Sequence, residues 1–107
     1  MIAVGKDTQL EDLGKGVKRK VLSHSGKMMG VEVHFEKGGI GAAHSHPHEQ
    51  FTYVLEGLIE LDYKGDKFTL NKGDTAYIEP NEIHGVKALE DAILLDVFTP
   101  QREDFLK

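Results

Sequence analysis

Apolar and polar residues alternate along much of this 107-residue chain, the period of a half-buried β-strand. Between 28 and 36, Val31, Val33 and Phe35 fall on one face and Glu32, His34 and Glu36 on the other. Residues 17–22 form a mixed run. Residues 50–56 and 58–63 flank Gly57, and in the second run Ile59 and Leu61 oppose Glu60 and Asp62. Lys64-Gly65-Asp66 predicts a hairpin turn into a strand at 67–70, and Asn71-Lys72-Gly73-Asp74 a second turn before Thr75–Ile78. Pro80-Asn81-Glu82 interrupts the chain ahead of a strand at 84–89. Ala92–Thr99 is the last and most apolar strand; Pro100 ends it, and 101–106 forms at most a short helical tail. Roughly seven to ten short strands, with no linker, low-complexity segment or duplicated half, predict a single all-β domain over 1–107, a sandwich or barrel.

Composition narrows the function more than the fold. A chain of this length buries roughly 65 % of its unfolded surface, enough for one modest core. Thirteen basic against eighteen acidic residues give a net charge of −5 with no long basic run, so nucleic acid and anionic membrane are poor partners. The first residues become charged too early for a signal peptide, and no apolar run is long enough to cross a bilayer. The expectation is a soluble cytoplasmic protein. The absence of cysteine excludes disulfides, thiolate zinc sites and cysteine nucleophiles.

Chemistry concentrates in His44-Ser45-His46-Pro47-His48-Glu49-Gln50, with His84 alone further on. On an extended strand residues two apart share a face, so His44 and His46 aim their imidazoles at one point while Gln50 and His84 are brought in by the fold. Three imidazoles and one oxygen donor suit an open site for a divalent ion. The alternative is a solvated, histidine-rich loop.

The spacing around these residues resembles the cupin superfamily. Gly38, five residues, His44-x-His46, three residues, Gln50, six residues and Gly57 match its first signature; Gly73, ten residues and His84 match its second. Fifteen residues separate the two. Pro80 stands one place later than the commonest pattern, and Glu82 where a glycine often stands. The resemblance implies a jelly-roll barrel in which motifs 38–57 and 73–84 hold one divalent metal ion through His44, His46, Gln50 and His84. Its identity, among Ni, Zn, Mn and Fe, is left open.

The third ligand is usually glutamate, and Glu49 sits beside Gln50. Neighbouring strand residues face opposite ways, so one of the two enters the site. Counting back from Gly57 selects Gln50, with Thr52 and Val54 facing the barrel and Phe51, Tyr53 and Leu55 packing outside, where a partner copy would cover them. His48 shares the parity of the other two histidines, but Pro47 disturbs the strand, so a supporting or substrate-contacting role is expected. His24 and His34 are expected in solvent. Three imidazoles and an amide leave the charge of the metal uncompensated, which favours an electrophilic centre over a redox one.

A closer resemblance covers nearly the whole chain. Glu11-Asp12-Leu13-Gly14-Lys15-Gly16-Val17-Lys18-Arg19-Lys20 and Asp96-Val97-Phe98-Thr99-Pro100-Gln101-Arg102-Glu103-Asp104-Phe105-Leu106 are similar to the KdgF-type pectin-degradation cupins. The resemblance implies a homodimer acting on a small sugar acid, a 4,5-unsaturated monouronate from pectin or alginate. The product it implies is the linear keto-aldehyde acid. It also implies functional roles for Asp96, Phe98 and Arg102. Considered alone, Leu94, Asp96 and Phe98 share one face of Ala92–Thr99, where a buried Asp is costly unless bonded or facing a wet cavity. A partly exposed Asp, a core Phe and a solvated Arg are the simpler account of each residue. Beside a metal, the three would supply an acid/base, an apolar wall and a carboxylate clamp. Two other classes stay open: a cupin dioxygenase or oxidoreductase, and a non-catalytic sugar-binding cupin.

Overall fold

The computed structural model describes residues 1–107. Ten strands run β1 Glu11–Gly14, β2 Val17–Ser25, β3 Met28–Phe35, β4 Ile40–His44, β5 Glu49–Glu56, β6 Leu58–Tyr63, β7 Asp66–Asn71, β8 Thr75–Ile78, β9 His84–Ala88 and β10 Ala92–Thr99. They form two antiparallel sheets, one ordered β1-β2-β3-β10-β5-β8 and the other β4-β9-β6-β7. A 3₁₀ turn at Glu103–Leu106 follows β10 as the short helical tail. No helix is long and apolar enough to cross a membrane.

Alternation decides which side chains meet between the sheets. β10 alternates buried and half-buried residues without a break, and in β5 Gln50, Thr52 and Val54 point inward while Phe51 and Tyr53 point out. Val17, Phe35, Val54, Ile59, Ala88, Ala92 and Leu94 make the main core. A smaller cluster of Met29, Val31 and Phe98 continues it toward the site. Each of the larger apolar side chains contributes roughly 1.5–3 kcal/mol by leaving water.

The turns follow their residue types. Lys64 and Gly65, both at positive φ, make the two-residue hairpin between β6 and β7. The motif glycines Gly38, Gly57 and Gly73 have φ of 85, 87 and 91°, a region open to glycine at little cost.

Two expectations need correction. His44 and His46 do not share a strand: β4 ends at His44, and His46 lies in the connection to β5. Pro47, which has no N–H to give a ladder, falls in that connection. Neither His24 nor His34 is fully solvated. Both are half-buried, with His24 Nδ1 2.9 Å from Gln101 Oε1 and His34 Nε2 2.6 Å from Glu32 Oε1.

Candidate metal centre and adjoining cavity

Each sheet supplies half of the site. β4 and β9 pair His44 directly with His84, while β5 and β10 pair Thr52 with Asp96 and Gln50 with Phe98. His46 sits between the sheets, and its carbonyl accepts the Asn81 N–H at 2.7 Å. The turn at Pro80-Asn81-Glu82 thereby ties the second motif to the first.

Three backbone carbonyls orient the imidazoles. His44 Nδ1 lies 2.9 Å from the Ala42 carbonyl, His46 Nδ1 3.1 Å from that of His48, and His84 Nδ1 2.9 Å from that of Glu82. A neutral imidazole donates through one nitrogen, so these bonds place the proton on Nδ1 and free each Nε2 as a ligand atom. The ligand atoms of the three histidines lie within 4.8 Å of one another. His84 Nε2 is buried with no hydrogen-bond partner.

His46 carries the sharper signal. Its Nε2 stands 2.9 Å from Gln50 Oε1 while its Nδ1 faces the His48 carbonyl, so two acceptor oxygens face a ring with one proton. Burial lowers its pKa to about 4, which rules out a second proton at neutral pH. A cation between Nε2 and Oε1 resolves the conflict. Burial also lowers the His84 pKa, keeping that ring neutral for coordination. These residues fit a divalent metal.

Glu49 faces away from this cluster. It is exposed and accepts the Tyr77 hydroxyl at 2.6 Å and the Thr99 hydroxyl at 3.0 Å, bonds that lower its pKa. His48 is not one of the three histidines whose ligand atoms converge, although its ring lies edge-on to that of His46 with centroids 5.4 Å apart. Its backbone carbonyl, by contrast, directly supports His46.

A cavity of about 230 Å³ takes in His44, Gln50, His84, Asp96, Phe98 and Arg102. A wider groove of about 530 Å³, bordered by Lys15, Lys18, Glu36, Glu56 and Asp91, contains none of the predicted site residues. Convergent polar groups, not volume, make the smaller one the candidate site. Asp96 is 9 % exposed, so the partly exposed alternative is excluded. Burial pushes its pKa up to about 6, while the Thr52 hydroxyl bonded to Oδ1 and the Gln50 amide behind it pull the other way. Phe98 is core and site at once, its ring packed edge-on against His46.

Arg102 is buried, not solvated. Its Nε and Nη2 donate to Asp104 at 3.1 and 2.9 Å, which lowers the Asp104 pKa. The Phe105 ring meets two guanidinium groups, that of Arg102 4.2 Å from its centroid and that of Arg19 3.9 Å. The contacts that Asp104 and Phe105 make with Arg102, and Phe105 with Arg19 of β2, went unread in the sequence, because strand parity says nothing about a tail folding back over the barrel. Thr52 was visible only as an inward-facing neighbour of Gln50.

Comparison with known proteins agrees with this architecture. The cupin domain model matches residues 31–98. The pectin degradation protein KdgF of Dickeya dadantii is 44 % identical over 105 residues, covering 96 % of each chain. The structure of KdgF from Halomonas is 33 % identical with a TM-score of 0.93, covering 98 % of this chain and 97 % of that one. An RmlC-like cupin from Shewanella frigidimarina is 38 % identical with a TM-score of 0.94, covering 97 % and 94 %. Barrel, paired motifs and relatives that align nearly end to end lead to one conclusion: this chain belongs to the cupin family, alongside the KdgF pectin-degradation proteins.

Proposed function

We propose that this protein converts 4,5-unsaturated monouronates, released from pectin or alginate, to linear keto-aldehyde acids at a site holding one divalent ion on His44, His46, Gln50 and His84. The observation that carries the reading is the meeting of a buried carboxyl, Asp96, with a guanidinium, Arg102, and the imidazoles of His44 and His84 around one 230 Å³ cavity, with His46 converging on the same two rings. The similarity to KdgF supports the same substrate class.

In such a sugar the C4=C5 bond is an enol ether conjugated to the carboxylate. A proton adds to C4 and the hydroxyl of water to C5, giving a hemiketal; cleavage of the bond from C5 to the ring oxygen then leaves a ketone at C5 and a gem-diol at C1, which loses one water to give the aldehyde. Asp96, protonatable near neutral pH, delivers the proton to C4. Arg102 binds the carboxylate through its Nη1 edge, the edge Asp104 leaves unbonded. Phe98 walls the cavity and limits water. A bound divalent ion supplies an electrophile for a sugar or water oxygen. The neutral ligand set favours this over redox chemistry.

The test follows loss of the conjugated ultraviolet band when protein carrying one equivalent of metal meets lyase-generated unsaturated monouronate. Wild type is expected to remove the band without consuming oxygen. Asp96→Asn is expected to keep its metal and lose roughly two to four powers of ten in turnover. His84→Ala is expected to lose metal and activity together. Oxygen uptake by wild type, or full metal occupancy in His84→Ala, would overturn the reading.

A further inference from the structure

A directed chain of hydrogen bonds joins the candidate ligand to the acid. Gln50 Nε2 donates to Thr52 Oγ1 at 2.9 Å, and Thr52 Oγ1 donates to Asp96 Oδ1 at 2.6 Å. The fold forces the contact: Gln50 and Thr52 share the inward face of β5, and Thr52 pairs directly with Asp96 on β10. All three side chains are buried along the cavity wall, where their bonds to one another are sheltered from bulk solvent.

We infer that Thr52 is a positioning residue that commits the proton of Asp96 to Oδ2 and requires an amide at position 50. A hydroxyl has one proton to give. Because the Gln50 amide fills a lone pair of Oγ1, that proton is free to point at Asp96 Oδ1. Oδ1 is then an acceptor whether or not the carboxyl is protonated, and the transferable proton sits on Oδ2. A glutamate at position 50 would be acceptor-only when ionised. Two carboxylates would then compete for one hydroxyl proton, and Asp96 would lose its fixed orientation. The amide is thus required by hydrogen-bond polarity, independently of its effect on the metal. The inference rests on the reading of Asp96 as proton donor and deepens it by naming the oxygen and the group that selects it.

Thr52→Val keeps the branched shape and removes the hydroxyl. With unsaturated monouronate, its kcat is expected to fall about 10- to 100-fold while KM stays within about threefold. Metal content should not change, and Thr52→Ser should restore kcat to within about threefold of wild type. A wild-type kcat in Thr52→Val overturns the inference, and so does a loss that serine fails to rescue, which would mark a packing role. The Gln50 side-chain amide, followed by NMR in protein with added zinc, gives a readout independent of turnover. Its donated proton is expected downfield and slow to exchange in wild type and Thr52→Ser, but not in Thr52→Val. If wild type has no turnover, the functional reading fails. The amide signal then decides the chain alone, and identical signals in wild type and Thr52→Val would eliminate it.

Discussion

Burial acts in opposite directions on two neighbours in the site. It lowers the pKa of His46 to about 4 and raises that of Asp96 to about 6, because each is pushed toward its neutral form. The linked stabilities oppose each other. The unfolded state binds a proton to His46 more readily, so the stability linked to that ring is present above pH 6.5 and is lost as pH falls toward 4. The folded state protonates Asp96 more readily, so its cost is present above about 6 and is relieved as pH falls toward 3.8. A melting curve would blur the two, whereas NMR of the metal-free protein separates them. The His46 ring is expected to titrate near 4 and the Asp96 carboxyl carbon near 6. Titration of His46 at the ordinary 6.5 would contradict the account of its environment.

At the scale of elements, legibility followed alternation. β5, β6 and β10 were readable because one face of each is buried against the opposite sheet, and a slip of one residue would invert them. The same parity separated Gln50 from Glu49. β1 and β4 were not readable as strands, since nearly all their residues are exposed and no pattern is selected. The placement of His46 was missed for a related reason: an imidazole held by a carbonyl and a tied turn needs no strand. Gly57 was read from motif spacing, and its packing explains why glycine stands there. A Cβ at this position would fall on the Asp91 carbonyl oxygen and come within 2.8 Å of Ala92 Cα, at a φ of +87°. Gly57→Ala is therefore expected to destabilise the protein by about 2–4 kcal/mol, measured by urea unfolding. A loss under about 0.5 kcal/mol would show that the β5–β6 turn relaxes freely.

For the whole molecule, two sheets each contribute part of one site, and the family motifs made that architecture legible before any contact was known. What the motifs left unread is the tail that brings Asp104 and Phe105 to Arg102. The outer face of the larger sheet was legible in part: Phe51 and Tyr53 point out as expected, Leu55 is half-buried instead, and Tyr77 of β8 stands beside the first two. Phe51, Tyr53 and Tyr77 are 45, 38 and 51 % exposed on adjacent strands of that sheet. An apolar patch of this kind favours association through a second copy of the chain. Light scattering at micromolar concentration is expected to give twice the 11.9 kDa chain mass, and Tyr53→Glu to return it to one. A wild-type mass of 11.9 kDa would remove the dimer from the account.

The central claim is that Asp96, fixed on one side of the cavity, delivers a proton to C4 of an unsaturated uronate. The most direct measurement is the reaction in deuterium oxide, with the C4 methylene of the product read by NMR within the first turnovers. One deuterium in a single stereochemical position is expected, together with its loss of selectivity in Asp96→Asn. Deuterium spread equally over both positions in the wild-type product, or a substrate left unchanged by metal-loaded protein, would contradict the account.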